Sequence, residues 1–440
     1  MTTRPGAVNQ QRVSGMVGVV FGLALILRVA VVLTSSLMLH DDAQGYDQVA
    51  QSIAQGHGFS RDGHPTAMED PLYPAFLAGL YRLGGHHYRL VQLTQAVLNA
   101  LACALIGVLG AEMGGPIVGW LSGLVMACYP SFVQLPRFLL SEALFIPLLI
   151  VALVVCLQWQ RTQALRWAIG GGVCFGLAAL TRSSVLLLPI VLAGVVWWRS
   201  QSADHASRAT VRRHALVMLA GLSLTIAPWT LRNLVVMRAF IPISTKGGVD
   251  LYSAYFPPEG KRFGLIPQDT NITYARSLPS EVEASRFLVR QTLQWVIHHP
   301  LAVLRQVVLK GLFLFTPFDW ELLGYRAYNL AYSFMLPWAV MGLLVVRRWR
   351  IPPGLFIITI GYYVVLSLLT YGSPRLRLPI EPLFIICAVV GCLAFVERIQ
   401  SHVVRGVTLG AWCALNVSLW LEADALRLTL QRLLNRVGLW

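Results

Sequence analysis

Charge is scarce in this chain: acidic and basic residues together make up 12% of its 440 residues, against about 25% in an average soluble domain. So few charges cannot cover a water-facing surface, which excludes an ordinary soluble fold. Acids are the scarcer sign, with 20 Asp+Glu against 35 Lys+Arg. The cationic excess does not point to nucleic acid, because the basic residues sit between apolar runs, as cytoplasmic loops do. They also suit anionic lipid headgroups. Cysteine pairs at metal-binding spacing are missing. All seven cysteines lie inside apolar runs, which reads as buried small hydrophobes rather than a zinc site. Internal repeats and low-complexity tracts are absent. Arg4 and Arg12 precede the first apolar run. No small-residue cleavage site follows it, so it reads as an uncleaved first span.

What the chain has in quantity is apolar residues, 56% of the total. A bilayer core accepts helices of roughly 17–25 apolar residues. Such runs fall at 14–37, 90–112, 115–134, 138–157, 167–182, 184–198, 214–232, 328–346, 352–371, 379–397 and 403–421. The expected fold class is therefore an all-α polytopic membrane protein with about 11–13 transmembrane helices. The run 302–316 carries Arg305 and Lys310 and reads as an interfacial helix. The links at 158–166, 199–213, 347–350 and 398–405 are basic. Placing them in the cytoplasm puts 38–89 and 233–301 outside. The basic C-terminal stretch 425–440 fits that scheme poorly, so the last span is re-entrant or the count is off by one. Three regions follow: an N-terminal bundle 1–232 that includes the outer loop 38–89, an extracytoplasmic region 233–301 carrying a juxtamembrane helix near 279–298, and a C-terminal transmembrane region 302–440.

Long polar loops are often where function sits. The first holds six acids: Asp41, Asp42, Asp47, Asp62, Glu69 and Asp70. Asp41 and Asp42 come directly off the outer end of the first span. A carboxylate at that boundary is partly desolvated, which raises its pKa and suits it to proton abstraction. An ordinary solvated loop with a capping Asp is the plainer reading. Arg28 lies well inside the first span, where an arginine costs roughly 2.5–3.5 kcal/mol. It should face the bundle interior or snorkel outward. Arg137 and Glu142 suggest a structural ion pair. Arg182 stands at an outward break between spans. Arg375 and Arg377 sit at an end that should be extracytoplasmic, so something anionic should compensate them. A lipid phosphate would do so, since guanidinium forks bind phosphate oxygens bidentately. Glu381 could instead neutralise one of them.

The first outer loop reads Asp42-Ala43-Gln44-Gly45-Tyr46, then Gly56 to Phe59, Pro65-Thr66-Ala67 and Pro71-Leu72-Tyr73-Pro74 through Ala78. Gln92, Ser141 to Phe145, Thr181-Arg182, Pro228 to Asn233, Ile243 to Gly248 and Arg375 to Pro379 follow in order. This ordered set resembles the C-type glycosyltransferase superfamily, in particular its family-39-like branch of protein O-mannosyltransferases and aminoarabinose transferases. The resemblance implies a C-type glycosyltransferase fold. It implies transfer of a hexosyl or pentosyl group from a polyprenyl-phosphate donor to a lipid, glycan or protein acceptor at the extracytoplasmic face, with inversion. It implies Asp42 as base or acceptor-positioning group, with Asp41 as second choice. Arg375 and Arg377 match the phosphate side, with Arg182 and Arg232 behind them. Tyr46, Tyr73 and Lys246 fall in matching motifs as further substrate-binding candidates, and Glu69, just before Pro71-Leu72-Tyr73-Pro74, is a candidate beside them.

Glu69-Asp70 departs from relatives, which often carry basic or apolar residues there. The pair could add a second acid or a divalent-metal ligand, although the chemistry requires no cofactor. The chain has no Gly-rich strand–helix motif for a nucleotide sugar, which agrees with an activated lipid donor. A bacterial inner (plasma) membrane location is expected, with the site on the periplasmic side and no nucleic-acid partner. Two other readings use the same residues: a transporter or flippase of lipid-linked sugars, which usually shows repeats in its halves, and a polymerase or ligase of lipid-linked glycans.

Overall fold

Among the described residues, twenty helices account for nearly all the regular structure. The computed structural model describes residues 10–35, 41–202, 204–256, 269–318, 328–345, 348–350 and 352–436. The first half contains α1 (Gln10–Thr34), α2 (Asp41–Ala54), α3 (Leu72–Gly84), α4 (Tyr88–Gly114), α5 (Pro116–Cys128), α6 (Pro130–Gln134) and α7 (Glu142–Thr162). Then come α8 (Leu165–Thr181), α9 (Leu188–Arg199), α10 (His205–Val236), α11 (Lys246–Tyr255), α12 (Thr270–Ser277) and α13 (Glu281–His298). The rest are α14 (Pro300–Leu314), α15 (Leu330–Leu344), α16 (Gly354–Leu369), α17 (Pro374–Arg377), α18 (Glu381–Arg398), α19 (His402–Leu421) and α20 (Ala423–Arg436). One antiparallel ribbon, β1 (Ser60–Arg61) with β2 (His64–Pro65), lies in the first polar loop.

Each of the eleven apolar runs read from the sequence is a helix: α1, α4, α5, α7, α8, α9, α10, α15, α16, α18 and α19. The chain is a multi-pass membrane protein. Among the described residues, five helices are long and apolar enough to cross a bilayer alone, namely Ser14–Thr34 within α1, together with α4, α7, α10 and α19. The run 115–134 is one broken span, α5 and α6 meeting at 56°. Pro130 causes the break, since a proline cannot donate the helical hydrogen bond.

Arg28 closes that break. It is fully buried, and its guanidinium donates to the carbonyls of Ala127 at 3.1 Å and Met126 at 3.4 Å, the last carbonyls of α5. The Met126 carbonyl accepts otherwise only a long bond from the Tyr129 amide, at 3.4 Å, and the helix C-terminus carries partial negative charge. Arg28 therefore faces the bundle interior.

The centre of the bundle is α18, where every residue from Glu381 to Gly391 is buried, as expected of a helix that is apolar all round. Glycine lets it touch its neighbour: a Cβ at Gly342 of α15 would fall on the Cys387 carbonyl, and one at Gly391 on the Trp338 carbonyl. Gly172 of α8 abuts the Met218 carbonyl of α10 in the same way. Such small-residue contacts are how helices associate where lipid removes the hydrophobic drive. The interfacial helix expected at 302–316 is α14. One face of it is exposed (Leu301, Leu304, Val308, Leu312), and the other is buried (Gln306, Leu309, Lys310, Leu314).

Candidate functional site

The two long polar segments meet at one end of the bundle. Arg232 donates to the carbonyls of Thr66 and Phe59, both at 2.8 Å. Glu281, in the first turn of α13, accepts from the Thr66 hydroxyl at 2.7 Å and the Ala67 amide at 2.6 Å. The Thr245 amide donates to the Ala67 carbonyl at 2.9 Å. The Pro-Thr-Ala stretch is thus pinned from two directions, which fixes Glu69 and Asp70 just beyond it.

Asp42 lies in the first turn of α2, where the helix dipole favours an acid. The apolar face of α2 packs on α3 through Ala43, Tyr46 and Ala50 against Tyr73, Leu77 and Tyr81. Tyr46 and Tyr73 meet edge to face at 5.0 Å. The Tyr73 hydroxyl donates to Gln95 at 2.7 Å, and that of Tyr46 to Ser141 at 3.3 Å. Tyr73 is thus a buried support, and Tyr46 borders the charged cluster.

That cluster alternates in sign. Arg375 Nη1 binds Asp42 Oδ2 at 2.8 Å, and its Nε and Nη2 form a fork on Glu142, with Nη2 at 3.2 Å from Oε2. Arg182 reaches the same Glu142 at 2.7 Å and the Ser141 hydroxyl at 3.1 Å. Lys246 Nζ stands 3.5 Å from Asp42 Oδ1 and 3.4 Å from Glu69 Oε2. Local structure places each group. Arg375 belongs to the single turn α17, started by Pro374 and capped by the Ser373 hydroxyl. Gly372 before it lies against the Lys310 backbone of α14. Arg182 ends α8 in extended backbone. Lys246 begins α11.

The electrostatics reverse one sequence expectation. Burial alone would raise the Asp42 carboxyl, but Lys246 and Arg375 outweigh it and hold the group well below the usual carboxylate range. The raised carboxylates are its neighbours. Burial lifts Glu69 despite Lys246. Burial also lifts Asp70 against its Ser244 and Ser183 hydrogen bonds. It does the same for Asp250, which accepts from Tyr371 at 3.2 Å. Lys246 is desolvated too, yet Tyr46, Glu69 and Asp42 keep its pKa well above the ordinary lysine value.

The structure therefore brings together Asp42, Tyr46, Glu69, Arg182, Lys246 and Arg375. The Asp41 side chain lies outside the described residues. Arg377 is elsewhere: it is fully buried, pairs with Glu381 at 2.6 Å, donates to the Leu314 and Thr316 carbonyls and stacks on Tyr332. The expected Arg137–Glu142 pair does not form; Arg137 donates to Gln134 and lies over Phe138. Glu142 is instead the acid shared by Arg182 and Arg375. Sequence reasoning missed Glu281, Asp250 and Tyr371. Asp250 had a signal, being one helical turn from Lys246 on α11.

Among the described residues, no group of three or more His, Cys, Asp or Glu is placed to hold a metal ion. Glu69 faces Lys246, whereas Asp70 turns to Ser183 and Ser244, accepting at 3.0 and 2.7 Å.

A family model described as dolichyl-phosphate-mannose-protein mannosyltransferase matches residues 64–230. No curated protein matches the chain by sequence. Two structures of the Archaeoglobus fulgidus oligosaccharyltransferase share its fold. One, AglB with an inhibitory peptide and a dolichol-phosphate, gives a TM-score of 0.53 at 13% identity and covers 93% of this chain and 55% of its own. The other, with zinc and sulfate, gives 0.54 at 14% identity, covering 92% and 52%. The chain thus spans about half the length of these structures. ArnT from Cupriavidus metallidurans, bound to undecaprenyl phosphate, superposes at 0.43 with 14% identity over 86% of this chain and 77% of that one.

Proposed function

We propose that this membrane protein of the C-type glycosyltransferase superfamily moves a sugar from a polyprenyl-phosphate donor to an acceptor hydroxyl, at the cluster around Asp42 and Arg375. One observation carries the proposal: charged side chains far apart in sequence, from the ends of α2, α7, α8, α11 and α17, converge at one end of an apolar bundle. The matched family model and the dolichol-phosphate in the similar AglB structure support the donor class.

The chemistry follows from the charges. Polyprenyl phosphate leaves readily once its growing negative charge is neutralised. Arg375 and Lys246 are placed to accept the donor phosphate. As they turn to it, Asp42 loses the cations that hold its proton affinity low. Asp42 then takes the proton of the acceptor hydroxyl. The acceptor oxygen bonds to the anomeric carbon on the face opposite the phosphate. The carbon–oxygen bond to phosphate breaks, its electron pair stays on the leaving phosphate, and the configuration inverts. Glu142 holds the Arg182–Arg375 pair in register. Asp42 and Glu69 share the Lys246 ammonium and Asp70 turns away from them to Ser183 and Ser244, so these three acids do not converge on one cation site.

The acceptor class is a lipid, a glycan or a protein. The basic links at the opposite end of the bundle support an extracytoplasmic site in a cell inner membrane by the positive-inside rule. The test is transfer or donor hydrolysis by the purified protein in lipid, with a panel of radiolabelled polyprenyl-phosphate sugars and membrane extract. Asp42→Asn should lower turnover by about two or more orders of magnitude. Unchanged turnover would remove Asp42 from the mechanism. Saturable donor binding with no turnover on any donor would favour a transporter.

A further inference from the structure

Helix α13 has two unlike faces. Leu288 and Thr292 are buried, and Ser285 beside them packs so tightly on α11 that a Cβ at Gly248 would fall on its hydroxyl and carbonyl. The opposite face carries Arg286, Arg290, Leu293 and Ile297, spaced four, three and four residues apart. At 3.6 residues per turn they form one stripe along the helix. Ser285, Val289 and Gln294 flank the stripe, and the open space of about 480 Å³ against it is bordered by α13 alone. Leu293 is 51% exposed and Ile297 73%. Beyond His299 and Pro300 the apolar exposure continues down α14 through Leu301, Leu304, Val308 and Leu312.

Neither Arg286 nor Arg290 has a hydrogen-bond, ion-pair or ring partner among the described residues. Two uncommitted guanidiniums thus share a helix face with exposed Leu293 and Ile297, and α14, next in the chain, exposes a further apolar face. That is the profile of a lipid: an anionic head above hydrocarbon chains.

We propose that Arg286 and Arg290 bind the phosphate of an anionic phospholipid of the surrounding bilayer, whose acyl chains lie along Leu293, Ile297 and the exposed face of α14. The bound lipid seats α13. The inner face of α13 bears on Gly248, two residues from Lys246, and its first turn carries Glu281, which holds Thr66 and Ala67. Lipid charge is thereby coupled to the geometry of the charged cluster.

The test uses the full chain in nanodiscs of phosphatidylcholine, with and without phosphatidylglycerol, and reads hydrogen exchange of α13. In wild type, phosphatidylglycerol should slow exchange over 281–298 several-fold. An Arg286→Gln/Arg290→Gln double variant should exchange alike in both membranes and melt as wild type does in the neutral one. Equal exchange of the wild type in both membranes would overturn the proposal, as would a double variant that keeps the difference. Undecaprenyl phosphate in neutral discs is the control for the other occupant. Protection by it alone, with none from phosphatidylglycerol, would also overturn the proposal. None of these readouts uses transferase activity, so the assignment fails or stands apart from the proposed reaction.

Discussion

Asp42 and Arg375 lie 333 positions apart and meet at 2.8 Å. Their contact ties the first turn of α2 to α17, and each also binds a second group of opposite sign. Removing either one should therefore disturb the other. Asp42→Asn and Arg375→Gln are each expected to lower transfer by about 100-fold or more. The double variant should lose far less than the product of the two, because contacting residues do not act independently. A double-mutant cycle on labelled-sugar transfer measures this; strict additivity would place the two residues in separate steps.

Lys246 sets the acid limb of activity. Its charge stabilises the Asp42 carboxylate, so Lys246→Met lets burial push Asp42 up and moves the acid limb of kcat/KM to higher pH. Asp42 and Glu69, the two acids beside Lys246, oppose each other in stability. The folded-state pKa of Asp42 is depressed, so its contribution is present above the unfolded value of about 3.9 and is lost as pH falls through the folded one. That of Glu69 is raised, so its contribution is present at low pH and is lost as pH rises through the folded value. A pH–rate profile of the variant beside wild type checks the first statement. An unmoved acid limb would show that Asp42 does not titrate in the rate.

Gly248 separates a packing effect from a chemical one. Adding a methyl group there forces α13 away from α11, since the obstructing atoms include the Ser285 backbone. Gly248→Ala should cost about 1–3 kcal/mol, as overpacked sites do, and lower the melting temperature. Because α11 begins at Lys246, kcat/KM should also fall in protein that remains folded. A normal melting curve would mean that the two helices are not packed as described.

Arg375 and Arg377 look alike in the sequence and should behave oppositely. Arg377→Met removes the cation paired with buried Glu381, which costs about 3–5 kcal/mol for such pairs. Yield and thermal stability should drop, while the surviving protein keeps its KM for the donor. Arg375→Gln should fold and fail in turnover. Saturation kinetics on material selected for correct size distinguishes the two.

These two arginines mark where sequence reading reaches its limit. Periodicity and run length located all eleven apolar helices, because a bilayer demands long apolar runs whatever the neighbours are. Asp42 and Arg375 were also legible, since motif and topology both marked them. Which acid neutralises which base was not legible, because ion pairing depends on how distant helices pack. Glu142 was given to nearby Arg137 and belongs to Arg182 and Arg375. The pKa of Asp42 went the wrong way for the same reason: desolvation can be read from a position at the membrane edge, but two cations arriving from α11 and α17 cannot. Arg28 was legible only as costly. The carbonyls it caps lie at the break before Pro130, more than a hundred residues away.

The glycines at the helix crossings have a further consequence. Where Gly342 meets Cys387, Gly391 meets Trp338 and Gly172 meets Met218, backbone rests on backbone, and such joints have no side chain that could change rotamer to permit sliding. The two helix pairs behave as keyed shafts. Gly248 of α11 on the Ser285 backbone of α13, and Gly372 before α17 on the Lys310 backbone of α14, are joints of the same kind, so the segments that carry Lys246 and Arg375 are keyed to their neighbours as well. A residue with no side chain at all thus sets the register both of the bundle and of the helices that present the charged cluster.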